Sequence, residues 1–152
     1  MSDVNQESVR PRTTQTPVHQ FTILLSATRR GARLARLLAT DQLRTWGLPF
    51  ETAEQIVAEL ASNAALHGHV PGRSFRLALT LTETATLRIE VTDARADRHP
   101  PAEPQLPSPD AESGRGLLLV AALSDRWGTD LRPAPCKTIW AEIETAPPTP
   151  CS

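Results

Sequence analysis

The 152-residue sequence predicts an α/β fold, a two-layer sandwich with about three helices on one face of a mixed, mostly antiparallel sheet. Three observations carry that prediction. Residues 28–46 and 51–66 repeat apolar side chains at helical spacing. Residues 75–81 and 87–91 alternate apolar and polar, so each strand has one greasy face and one more polar face, as in a sheet covered on one side only. A third helical pattern then follows Gly114, and two short strands are expected after it.

The elements follow in order. Residues 1–18 carry almost no large apolar side chains and read as a flexible arm. Phe21, Ile23 and Leu25 alternate with Thr22 and Leu24, which predicts a strand near 20–25. Leu34, Leu37, Leu38 and Leu43 mark the apolar side of the first helix, and Arg29, Arg30, Arg33, Arg36 and Arg44 fall mostly on the other; Gly47 and Pro49 end it. Ala53, Ile56, Val57, Leu60 and Ala64 form the stripe of the second helix, stopped by Gly68 and Pro71. The link at 82–85 is short enough for a hairpin. Residues 94–113 hold charges, five prolines between Pro100 and Pro109, and no apolar period, which predicts a lid or binding loop. The third helix is expected from Gly114 to Trp127, with strands at 127–132 and 137–143. The domain therefore spans 19–144, and the proline-rich tail 145–152 is expected to fray.

Composition excludes several classes. No apolar run approaches the roughly 20 residues of a membrane helix, and the N-terminus has no apolar signal region. A net charge of −1 argues against a general nucleic-acid binder. Two cysteines, Cys136 and Cys151, match no metal or redox motif, so a reduced, cytoplasmic setting is expected. Lys137 is the only lysine among 16 basic residues, a skew that reflects coding bias.

Three segments carry chemistry. In ELASNAALHG, Glu59, Asn63 and His67 recur every four residues along one edge of the second helix, beside its apolar stripe. A carboxamide oxygen suits Mg²⁺ and a carboxylate can accept a hydroxyl proton, although the spacing is equally that of ordinary helix-surface polarity. In IEVTD a strand runs directly into Asp93, whose carboxylate could accept a hydrogen bond from an exocyclic amine or simply end the strand in a turn. In SGRGLLLV, Gly114 and Gly116 flank Arg115 at the expected helix start, where backbone N–H groups can approach an anion; such a pair also simply starts helices.

The order of these segments resembles the GHKL ATP-binding superfamily over about residues 20–143. ELASNAALHG is most similar to the anti-sigma-factor kinase group, with its E-x-x-x-N-A-x-x-H-G run. GRGLLLVAALSDRWGT and CKTIWAEI further resemble stand-alone ATP-binding regulators of actinobacteria. The resemblance implies ATP and Mg²⁺, bound between helices and sheet under the 94–113 loop. It implies Glu59 as general base, Asn63 as the Mg²⁺ ligand, Asp93 as reader of the adenine amine, Gly114 and Gly116 beside the phosphates, and Thr138 near the adenine. Arg115 would steady the transferring group. Lys137 is given no catalytic role, only protection of a sheet edge. His67 fits the pattern but equally caps carbonyls or packs. Where the family often has Gly after the Asp, this chain has Ala94, Arg95 and Ala96, which predicts a differently shaped adenine pocket.

The implied function is an ATP-binding anti-sigma factor and protein serine/threonine kinase that phosphorylates an anti-sigma-factor antagonist. The implied partners are that antagonist and a sigma factor, with no direct nucleic-acid or membrane contact and a homodimer as one possible state. The arginine-rich face of the first helix is a candidate docking surface, or else a solvated face. A nucleotide-dependent binding module without phosphotransfer is the alternative, and an ATP hydrolase a more distant one.

Overall fold

The computed structural model describes residues 16–66, 73–93, 111–131 and 136–145. His67, Ala94, Ala96, most of the expected lid and most of the expected arm and tail lie outside the described residues. The elements run β1 (Pro17–Ser26), α1 (Arg29–Thr45), α2 (Glu51–Leu66), β2 (Ser74–Thr82), β3 (Thr86–Asp93), α3 (Ala111–Leu123), β4 (Arg126–Asp130) and β5 (Lys137–Glu144).

Local chemistry sets most boundaries. Thr28 caps α1, its hydroxyl accepting the Gly31 N–H at 3.0 Å. At the other end Gly47 takes φ +76, the left-handed region that glycine enters without a Cβ penalty. Its N–H donates to Arg44 O at 3.0 Å and the Leu48 N–H to Leu43 O at 2.9 Å, which satisfies two of the helix's last carbonyls. Glu51 and Glu54 occupy the first turn of α2, where the helix dipole favours negative charge. The β2–β3 hairpin turns through Glu83 and Thr84. Ala85 there holds φ 68, and its carbonyl accepts from both the N–H and the hydroxyl of Thr145 at 2.8 and 2.7 Å.

Three boundaries differ from expectation. β1 takes in Pro17 and Val18, which composition placed in the arm; the Glu83 N–H donates to Thr16 O and extends the pairing with β2. α3 starts at Ala111 rather than Gly114, and it ends at Leu123 rather than Trp127. Ser124 bonds back to Val120 O, and the Asp125 N–H then turns to Glu142 O, so Trp127 joins β4 opposite Ala141.

The five strands lie in the order β1-β2-β3-β5-β4. Every ladder is antiparallel, so the expected antiparallel character holds and no parallel pair occurs among the described residues. One face is apolar across the sheet. Leu77 lies between Ile23 and Val91, Leu79 between Phe21 and Ile89, and Val91 and Ile89 in turn meet Ile139 and Ala141. The helices cover that face, α1 beside β1 and α2 over β2, β3 and β5, with α3 against α2. Ala35, Ala39 and Leu43 of α1, Ile56, Val57 and Leu60 of α2, and Val120 of α3 close the core.

The open face carries charge. The Arg88 guanidinium stacks 4.3 Å over the Trp140 ring, and its nitrogens donate to Glu90 at 2.6 Å and Glu142 at 2.7 Å. Arg126 donates to Glu142 at 2.8 Å and also to Glu144. Burial pushes the Glu142 carboxyl up, but the hydrogen bonds and charges of Arg126 and Arg88 outweigh it and hold the group below its ordinary value of 4.5. A carboxyl lowered by folding binds fewer protons folded than unfolded just below that value. Its stabilisation is complete above the ordinary value and is lost as pH falls through the folded one. The Glu142→Gln variant should therefore lose less stability than wild type as pH falls below the ordinary value of 4.5. Parallel acid-limb denaturation curves for the two proteins would show that this network does not couple to folding.

Candidate functional site

The site is built on the margin of α2. Ala53, Ile56, Val57, Leu60, Ala61 and Ala64 are buried in the core, while Ser62 on the far side is exposed. Glu59 and Asn63 sit one turn apart between these faces and are half-buried. Both side chains are thus anchored by a rigid helix but reach the edge of the helical layer.

Helix α3 comes up against this margin at Gly116. A Cβ built on Gly116 would stand 2.8 Å from Glu59 Oε1, closer than real Cβ atoms come to a neighbour. Gly114, Arg115 and Gly116 lie inside α3 rather than opening it. Glycine within a helix costs about 1 kcal/mol relative to alanine, so two of them there need a reason. For Gly116 the reason is the approach of the Glu59 carboxylate. The structure therefore brings Glu59 and the glycine segment together, through a contact different from the helix-opening role read from the sequence.

Asp93 ends β3. It is 9% exposed and falls in the helix-facing series Leu87, Ile89, Val91, Asp93. Its cross-strand neighbours are Phe75 on β2 and Lys137 on β5. Thr138 belongs elsewhere, because side chains alternate along a strand. It pairs with Thr92 on the open face, the two hydroxyls 2.8 Å apart, so it does not share Asp93's side of the sheet. The residue that does is Lys137. The sequence contained that signal: counting back by two from the buried Ile139 reaches Lys137. β5 lies between β3 and β4, but the pairing with β4 runs from Thr138 to Glu142 and stops short of Lys137.

Among the described residues, clefts border α2 on two sides. One, about 490 Å³, runs past Glu51, Thr52 and Gln55 to Glu59 and Leu119, so Glu59 faces an open approach. The other, about 610 Å³, lies between α1 and α2, with Arg29, Arg33 and Arg36 on one wall and Ala58, Ser62 and Ala65 on the other. Arg36 borders both clefts and pairs with Glu54 at 3.5 Å.

A helix margin bearing a carboxylate and an amide, an inward Asp at a strand end and a glycine-bearing helix against the carboxylate define a recognisable class of domain. The chain belongs to the histidine kinase-like ATPase domain family, whose model matches residues 25–142, and so to the GHKL superfamily that its motifs resemble. Among solved structures, it is similar to the crystal structure of the RsbU and RsbW domains of Rv1364c from Mycobacterium tuberculosis, with 22% identity and a TM-score of 0.62. That match covers 88% of this chain but 34% of the other, so the chain spans about a third of that protein's length and the likeness is one of fold. Among curated proteins none matches this chain. Among the described residues no helix is long and apolar enough to cross a membrane.

The Gly116–Glu59 contact generates a prediction. The atom met by an added Cβ is the far end of a flexible side chain, so Gly116→Ala should displace the carboxylate and leave the fold intact. Denaturation should give a stability within about 1 kcal/mol of wild type, since the helix gains propensity as the carboxylate is displaced. A loss of several kcal/mol would mean that the helices, and not the carboxylate alone, close on this point.

Proposed function

We propose that this protein is a cytoplasmic ATP-binding regulator that acts as an anti-sigma factor and phosphorylates a serine or threonine hydroxyl of an anti-sigma-factor antagonist. The observation that carries the reading is the contact of Gly116 with Glu59, which gathers the carboxylate of α2 and the glycine segment of α3 at one place. The family, the RsbW-domain likeness and the inward Asp93 support it.

Each residue then has a distinct task. Asp93 accepts a hydrogen bond from the exocyclic amine of adenine. Asn63 offers one neutral oxygen to Mg²⁺. Among the described residues no group of three or more His, Cys, Asp or Glu could cage an ion, and a lone carboxamide fits Mg²⁺, which takes few protein ligands alongside phosphate oxygens and water. Mg²⁺, when bound, neutralises charge on the triphosphate. Gly114 and Gly116 keep the α3 backbone free of side chains there, and Arg115 between them supplies a cation for the phosphoryl group. Glu59 takes the proton of the attacking hydroxyl, which reaches it along the cleft past Thr52 and Gln55. The hydroxyl oxygen bonds to the γ-phosphorus, the bridge to the β-phosphate breaks, and ADP departs.

The decisive measurement is ATP affinity beside phosphotransfer. Asp93→Ala should weaken ATP by tenfold or more while the fold persists, the cost of a hydrogen bond to a charged group. Glu59→Ala should leave ATP affinity within a few-fold and remove about 10²–10⁴ of the phosphotransfer rate. Asn63→Ala should damage both. Undiminished transfer by Glu59→Ala would exclude Glu59 as the base, and a wild type that binds ATP but never phosphorylates the antagonist would reduce the protein to a nucleotide-dependent binding module.

We assign partner docking to the α1–α2 groove, where exposed arginines face an uncharged wall and suit an acidic segment. Arg33→Glu should lower partner affinity about tenfold without altering ATP affinity. Equal partner affinity for both proteins would move the docking surface elsewhere.

A further inference from the structure

We infer that α1 pairs antiparallel with α1 of a second copy of this chain, along the exposed strip Arg30, Leu34, Leu37 and Asp41. The inference is read from α1 alone and does not depend on the proposed nucleotide site.

The strip comes from a disagreement between sequence and structure. Leu34, Leu37 and Leu38 mark an apolar side in the sequence, but the side of α1 that packs into the core is Gly31, Ala32, Ala35, Ala39 and Leu43. Leu34 is left 41% exposed and Leu37 53%. Leucines in successive turns put apolar area in water that a solvated helix face does not need. Arg30 and Asp41 bracket them, both exposed, and among the described residues neither side chain makes a hydrogen bond or ion pair. The four residues recur at steps of four, three and four, the a/d spacing of a helix seam. They stay within about 60° of the helix circumference. Arg33 and Arg36 lie off this strip, toward α2.

The order of the side chains selects the occupant. A two-fold axis at the midpoint of the strip, between Ala35 and Arg36, sets each Leu34 opposite a Leu37 and each Arg30 opposite an Asp41. Two apolar layers are then closed at both ends by ion pairs. Centring the axis on Leu37 would instead set Arg30 against Arg44, a like-charge contact. An acidic or a basic partner would satisfy one end of the strip and oppose the other, whereas a second copy satisfies both. With only two apolar layers the contact is small, so the dimer is weak, with a dissociation constant on the order of 10 µM.

The test is sedimentation of the full chain from about 1 to 500 µM, where monomer should give way to dimer. Leu37→Glu should weaken association at least tenfold. Its melting transition should stay close to wild type, because Leu37 is exposed. Arg30→Asp and Asp41→Arg should each weaken association several-fold by setting like charges against each other. The double variant carrying both exchanges the ends of each ion pair and should recover the wild-type constant. A parallel pairing sets each position against itself, so it predicts single variants no weaker than wild type. A wild type that stays monomeric throughout leaves the strip to a different partner and overturns the inference. A dimer that Leu37→Glu leaves intact lies on another face and also overturns it. So does a double variant no stronger than the single ones, because the register would then be wrong.

Discussion

The β3–β5 register decides which side chains of the sheet can take part in chemistry. Slipping β5 by one residue would turn Ile139 and Ala141 out of the core and exchange the faces of Lys137 and Thr138. The register is fixed from both sides. Inward, apolar pairs close under α2. Outward, Thr92 meets Thr138 at 2.8 Å and Arg88 meets Glu142 at 2.7 Å. Because both faces specify the same alignment, Asp93 and Lys137 emerge side by side where the apolar series ends. Asp93, 9% exposed, closes the helix-facing apolar series at that point with a polar group.

Helix α2 solves a related problem with a different period. Its buried stripe commits one side to the sheet, and Glu59 and Asn63 fall on the margin that the 3.6-residue repeat leaves half-covered. The carboxylate there has to keep room beside it, although α3 packs against the same helix. Gly116 provides that room at the expense of helix propensity. Local preference and global arrangement disagree at this residue, and such disagreements tend to mark functional positions.

Much of this architecture was legible in the sequence because it rests on local periodicity. The bounds of α2, the two alternating strands and their hairpin all follow from repeats contained within a few turns or pleats. The misreadings have a common origin in contacts between distant segments. Gly114 and Gly116 looked like a helix opening because glycine is common at helix ends, whereas Gly116 answers to Glu59 far earlier in the chain. Thr138 was placed near the adenine by resemblance, but its side of the sheet is set by pairing with Thr92. Nothing local announces that β4, which precedes β5 in sequence, lies outside it in space. Trp127 extended the apolar pattern of α3 until Asp125 bonded across to β5 and began a strand.

The two faces of the sheet use their cations in opposite ways, and the difference follows from side-chain chemistry. On the open face Arg88 is locked by two carboxylates and an indole ring, and Arg126 by Glu142 and Glu144. A planar fork suits that work because each guanidinium spends several donors on fixed acceptors and holds neighbouring strands in place. On the helix-facing side the cation opposite Asp93 is a lysine, whose point charge fixes nothing by shape and whose stem can move. Arginine in both places would stiffen both faces alike. With lysine on the inner face, the register at the strand end is held by the outer network and the apolar pairs rather than by a second guanidinium fork.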